Sequence, residues 1–312
     1  IFAVVMYVLA CFTVLSACVS TAKEETEQSS EKKAKKKDKK KKDKKKEEGS
    51  EDTKESEKET AETLADLESM DEKERLKAQL VMELDDFLAS DFTSIGTYSE
   101  NSDKSYKYSV FSSRIKDEEE TLYTSVIEDS KNNYSVNLMT DGKVGYVSYG
   151  DTPGWNRVED KEALIIGRMT DASYISYISF VYAAIDAGLD CPYASEYSAY
   201  YITTNEETAG KLDLKAIKSK LNNADKFSEY EQYLALNEQY LKAYDNELGV
   251  VRKSFLFELK DNEISFTEIL NDAENKDLYH SVTKRIKSSD DEENRVNTIE
   301  KFNKIKSTDP NN

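Results

Sequence analysis

Side chains able to do covalent or metal chemistry are few in this chain: one histidine, His280, and three cysteines, Cys11, Cys18 and Cys191. A Ser-His-Asp or Cys-His site would have to use His280. That residue lies in "DLYHSVTKRIK", in step with Leu278 and Val282, so the pattern predicts a hydrogen-bonded strand histidine. Nothing beside it has the strand-turn-helix signature of a nucleophile elbow. The count excludes zinc sites built from several Cys or His, and no Gly-rich phosphate or dinucleotide loop is present. "SSDDEEN" is acidic but lacks the Asp/Asn spacing and glycine of a calcium loop, and reads as the start of a helix. Among 62 Asp and Glu, spacing alone singles out no carboxylate pair of the glycosidase kind. Cys191 precedes Pro192 and has no His or Arg beside it, which predicts a small buried hydrophobe rather than a reactive thiol. The expectation is a protein that is not an enzyme, with no catalytic residue, no metal and no cofactor.

Cys18 is different, because it closes the uncharged run "IFAVVMYVLACFTVLSAC". Eighteen residues lie between a signal-peptide core and a short membrane span, so length does not separate the two. Ser16-Ala17 supply the small side chains that a signal peptidase needs, and polar residues follow at once. Leu15-Ser16-Ala17-Cys18 resembles a bacterial lipobox, which predicts a signal peptide over 1–17 and Cys18 as a diacylglyceryl-bearing N-terminus. Two acyl chains on one residue hold a soluble domain stably on a bilayer. The predicted location is the extracytoplasmic face of a bacterial, Gram-positive cell membrane. Cys11 would leave with the signal segment, so Cys191 would be the lone thiol of the folded part and no internal disulfide could form.

Residues 18–60 hold almost nothing that could join a core, and their composition predicts a disordered Lys/Glu-rich tether. Within it "KKAKKKDKKKKDKKK" carries 12 Lys against 2 Asp. The tract reads either as a self-repelling spacer or as an attachment to anionic lipid or wall polymer, each Lys near such a surface contributing about 1 kcal/mol. Residues 49–312 hold 54 of the 62 acidic residues and 31 of the 44 basic ones, a formal charge near −23. That charge argues against a nucleic-acid partner.

The remaining residues, 61–312, predict one domain. Asp71 and Glu74 form a capping-box pattern before Leu76, Leu80, Leu84, Phe87 and Leu88, a helical stripe over about 71–90. "SYKYSVFSSRI", "ETLYTSVIE", "NYSVNLMT", "KVGYVSYG" and "WNRV" read as sequential antiparallel strands, with Asp141-Gly142 as a two-residue hairpin turn and Pro153-Gly154 as a type II turn. "SYISYISFVYAAIDAGLD" reads as an apolar helix, its β-branched and aromatic content leaving a strand open. "YASEYSAYYITTN" reads as a strand, followed by helices near 206–221 and 224–247, the second ending at Gly249. "SFLFELK", "EISFTEIL" and "DLYHSVTKRIK" form a second meander, and Ser289 with Glu292 starts a last helix carrying Val296, Ile299, Phe302 and Ile305.

The lipobox, the first helix, and a meander with Asp141, Gly142, Lys143 and Tyr146 followed by Gly154-Trp155 resemble the LolA-like lipoproteins, which include the LppX and LprG lipid carriers of mycobacteria and Firmicute-type relatives. The likeness spans most of 71–287; the paired helices of 206–247 and the last helix depart from it. It implies an α+β fold in which a strongly curved antiparallel sheet, an open half-barrel, holds helices in its concave face around an apolar cavity. Tyr146, Trp155, Tyr177, Phe180, Phe255 and Phe257 are the expected cavity residues, with Tyr177 and Phe180 opposing Tyr146, Phe255 and Phe257, and Trp155 at the rim. Two functions follow: a lipid-anchored protein that binds an apolar or amphipathic ligand, or a cell-surface interaction module with a filled core that binds wall polymer or a protein.

Overall fold

The computed structural model describes residues 70–101, 107–117, 120–129, 134–150, 154–158, 160–260, 263–287 and 290–310. The predicted signal peptide (1–17), Cys18, the predicted tether (18–60), Pro153, the Asp261-Asn262 pair between "SFLFELK" and "EISFTEIL", and Ser289 lie outside the described residues. Contacts divide the chain into Ile1–Asp71 and Glu72–Asn312, and the second unit carries every described element.

Its elements run α1 (Glu72–Ala89), β1 (Phe92–Asn101), β2 (Lys107–Asp117), β3 (Glu120–Asp129), β4 (Tyr134–Thr140), β5 (Gly145–Tyr149), β6 (Asn156–Val158), α2 (Asp160–Asp186), β7 (Tyr193–Ala194), β8 (Ala199–Asn205), α3 (Glu206–Ala209), a 3-10 turn (Ala216–Lys220), α4 (Ala224–Ser228), α5 (Glu231–Leu248), β9 (Arg252–Lys260), β10 (Glu263–Asn271), β11 (Asp277–Ile286) and α6 (Asp291–Thr308). The fold is α+β. Its strands form one antiparallel, eleven-stranded sheet in the order β6-β5-β4-β3-β2-β1-β11-β10-β9-β8-β7, and the two end strands do not pair, so the sheet is not closed into a barrel. The β1–β11 ladder joins the two predicted meanders. No described helix is long and apolar enough to cross a membrane.

Strand parity separates two faces. On one, Ile95, Ile202, Phe257, Ile264 and Phe266 meet Leu76, Leu80, Leu84 and Phe87 of α1 and Tyr174, Ile178, Val181 and Ile185 of α2 in a single core. The middle of this face is built from small hydroxyl residues that pair across strands: Thr97 with Thr283, Ser99 with Ser281, Ser112 with Ser125. Such short side chains leave room for α2, whose Gly167 lies so near Tyr123 that a Cβ there would meet the ring at 2.5 Å. Two buried arginines fasten helices to the same face. Arg114 donates to Asp171 of α2 (3.2 Å), to the Tyr230 hydroxyl (2.5 Å) and to the Phe87 carbonyl (2.5 Å). Arg285 donates to Glu83 (3.1 Å) and Asp86 (2.6 Å) of α1.

On the opposite face Ile115, Leu122, Met139 and Tyr146 pack against Phe302 and Ile305 of α6. Val296, expected in the inward stripe, is exposed. The Asp141 carboxylate holds α6 as well: Oδ1 accepts the N–H groups of Lys143 and Val144 at 2.8 Å each, and Oδ2 accepts from Lys306 at 2.8 Å. Because Asp141 captures those two amides, β5 starts at Gly145 and the connection is a four-residue loop, not the expected two-residue turn.

Four predicted elements differ in extent. α2 begins at Asp160, well before the predicted apolar segment. "YASEYSAYYITTN" divides into β7 and β8 around a turn in which Ser198 adopts φ 51°. The helix expected near 206–221 ends after one turn at Gly210, where Asp213 accepts the Lys215 N–H and turn bonds replace helical ones. The following helix breaks at Tyr230, whose N–H bonds to the Phe227 carbonyl and whose hydroxyl is fixed by Asp171. Gly249 closes α5 at φ 69°, as expected of a left-handed cap.

Candidate functional site

A cavity of about 240 Å³ lies between α2, α5 and the β8–β9–β10 part of the sheet. Each wall follows from a local periodicity. Ser173, Ser176, Tyr177 and Phe180 share one stripe of α2, and Asn237, Glu238, Leu241, Lys242 and Asp245 share one stripe of α5. On β9, Lys253 and Phe255 alternate onto the same face; Thr204 stands opposite Lys253 and Glu268 opposite Phe255. Leu214, Val250 and Val251 complete the apolar lining, and Asn205, Glu206 and Gly210 form part of the edge.

The site has an aromatic part and a charged part. Phe180 lies 4.4 Å from Phe255 between ring centres, and Tyr177 lies 6.1 Å from Phe255 and 5.7 Å from Phe266. The Tyr177 hydroxyl donates to Glu268 Oε2 at 3.0 Å. Lys253 pairs with Asp245 and stands 3.7 Å from Glu268 Oε1. Burial raises the Glu268 carboxyl above the usual carboxylate range, although Lys253 and the Tyr177 hydrogen bond pull it back. Burial and then the Glu268 charge keep the Tyr177 phenol protonated, well above its ordinary pKa. Asn237 accepts from the Ser173 hydroxyl at 3.2 Å and donates to the Ser176 hydroxyl at 3.3 Å, tying α5 to α2. The lining contains no histidine and no cysteine. The arrangement suits non-covalent binding of a molecule with an apolar body and a polar end.

Of the six expected cavity residues, Tyr177, Phe180 and Phe255 come together here. Phe257 shares their face but is fully buried in the packed core, with Tyr200 stacked on it at 5.3 Å. Tyr146 and Trp155 do not join them, which corrects the expected opposition. Tyr146 pairs beside Met139, on the sheet face that α6 covers, and its hydroxyl donates to Asp309 at 3.0 Å. Trp155 packs into the same α6 cluster beneath the Lys301 ammonium, 5.5 Å from the ring centre. Glu268, Asp245, Lys253 and Thr204 were missed by sequence reasoning. One signal was readable: Ile264, Phe266, Glu268 and Leu270 alternate, so a carboxylate occupies an inward position of an otherwise apolar strand face.

Elsewhere, His280 stands 3.2 Å from Asp277 Oδ2 on β11, consistent with a hydrogen-bonded strand histidine. Cys191 packs half-buried against the core, and burial pushes its thiol up to about 11, away from the thiolate. The chain matches no protein-family model and no curated protein.

Proposed function

We propose that the protein is a non-enzymatic, lipid-anchored extracytoplasmic lipoprotein whose domain binds a small apolar or amphipathic molecule in the cavity between α2, α5 and the sheet. In this reading residues 1–17 are removed, Cys18 carries the lipid, and 18–60 tether a LolA-like domain, 61–312. Its sheet curves as an open half-barrel with α1 and α2 in the concavity. The observation that carries the binding function is the cavity itself, where Tyr177, Phe180, Phe255, Leu241 and Val250 surround open space next to the buried Glu268. A concave space of about 240 Å³, open to solvent at its edge, with an apolar body and converging polar groups has the make-up of a small-molecule site. It lies just below the roughly 300–1,000 Å³ of sites for drug-sized molecules, which favours a small molecule over a two-tailed lipid. Leu241→Trp, which fills the cavity, tests the reading. Calorimetric titration with 1-hexanol should show saturable binding to the wild type and none to the variant; equal binding by both, or none by either, contradicts it.

A second reading, a surface interaction module, draws on one observation. Tyr98, Val282, Thr267, Leu256 and Tyr201 are successive register partners across five strands on the sheet face opposite the main core. Tyr98, Val282, Tyr201 and the neighbouring Phe111 are exposed, an apolar row of the kind that marks contact with a partner.

A further inference from the structure

Building on the proposed cavity, we infer that its occupant is a small amine: a protonated nitrogen on an apolar or aromatic body. The charged end of the cavity sets two carboxylates, Asp245 and Glu268, against one ammonium, Lys253. Lys253 is paired with Asp245, and the lining's other lysine, Lys242, is exposed; with Glu206 and Glu238 the lining carries four carboxylates against two ammonium groups, a balance that disfavours an anionic ligand. The unused capacity is a carboxylate oxygen, which only accepts, and a hydroxyl, which can accept or donate. Asp245 Oδ1 is buried without a partner, and so is the hydroxyl of Thr204, which is 2% exposed and faces the same side of the sheet as its register neighbour Lys253. Buried polar atoms left unpaired are costly, and an ammonium with three N–H donors answers both a bare carboxylate oxygen and a hydroxyl. A carboxylate ligand would bring more acceptors and more negative charge. The rings of Tyr177, Phe180 and Phe255 beside these groups offer faces that attract a cation.

The groups facing Glu268 are Tyr177 from α2, Asp245 from α5, Lys253 from β9 and Tyr279 from β11. Tyr177 and Tyr279 are both raised by burial and remain neutral. Amine binding favours ionised Glu268, so amine affinity rises with pH through the range in which this carboxyl loses its proton, and alcohol affinity does not.

The test is calorimetric titration of the full chain at pH 7 with three probes sharing one aromatic body: 2-phenylethylamine, 2-phenylethanol and phenylacetate. The amine should bind at least ten-fold tighter than the alcohol, and phenylacetate weakest. Glu268→Gln and Asp245→Asn should each reduce the amine-to-alcohol affinity ratio several-fold; the wild-type ratio decides the matter if either variant fails to fold. Alcohol binding equal to amine binding, or tighter phenylacetate binding, overturns the amine assignment and leaves the cavity reading intact. Absence of binding by all three probes overturns both.

Discussion

Phe255 and Phe257 sit two residues apart on β9 and face the same way, yet one borders the cavity and the other is enclosed by Tyr200 and Phe266. Truncation should separate them. Phe257→Ala leaves a void that nothing fills and should cost about 3–5 kcal/mol. Phe255→Ala enlarges an existing space and should cost less while weakening ligand binding; equal losses in thermal melts would show that the cavity is not open beside Phe255. The buried Arg114–Asp171 pair, 3% exposed on each side, gives a second residue-scale test. Arg114→Met strands a buried carboxyl already raised by its burial, and should cost about 3–5 kcal/mol. Adding Asp171→Leu should recover most of that loss. A single variant as stable as the wild type would mean the pair does not hold α2 to β2. Neither arginine was legible in the sequence, because "SSRIK" and "TKRIK" look like solvated strand ends until the register shows Arg114 and Arg285 pointing beneath helices.

At the scale of elements, two contacts carry the argument. Gly167 in the middle of α2 should resist replacement: Gly167→Ala gains helix propensity of about 1 kcal/mol, but the added methyl must displace the buried Tyr123 ring, a clash costing about 1–3 kcal/mol. A lower melting temperature is expected, and a higher one would contradict the close approach of α2 to β3. The hold on α6 should depend on pH. Burial acts to raise the Asp141 carboxyl, but Lys306 and the N–H groups of Val144 and Lys143 outweigh it and lower the folded value. Its stabilising contribution is therefore present above the unfolded carboxylate value near 4 and is lost as pH falls through the lowered folded value. Trp155, the only tryptophan, sits in the α6 cluster, so its fluorescence should change on acidification below about pH 4, and Asp141→Asn should remove that step. An unchanged acid transition in the variant would show that another group holds the helix. Elements with clean periodicity, such as α1, β4 and β9–β11, were legible. β1 was not, because Phe92 and Ile95 lie on opposite faces and the inward positions between and beyond them are Thr93, Thr97 and Ser99, so no apolar alternation announces a strand. The helical break at Tyr230 was hidden because a tertiary bond to Asp171 fixes that residue, and the break at Gly210 because local turn bonds, such as Asp213 to the Lys215 N–H, replace helical ones.

For the whole molecule, the sheet's inner face supplies both a closed core and an open cavity, and this division was not readable from aromatic positions alone. Tyr177, Phe180 and Phe255 were recognisable as a group; the assignment of Tyr146 and Trp155 to the other face required the register of β4 and β5. The anchoring half of the proposal is tested in cells. Cys18→Ala should abolish incorporation of a fatty-acid label and leave precursor or released protein, and equal labelling of variant and wild type would contradict lipidation. The most direct measurement of the central claim follows the tyrosine and phenylalanine ring signals by NMR during titration with 2-phenylethanol. Saturable shifts confined to Tyr177, Phe180 and Phe255, with Phe257 and Tyr146 unmoved, are the predicted result. Shifts confined to Tyr98, Phe111 and Tyr201 on the opposite face, or no saturable shift at all, would contradict it.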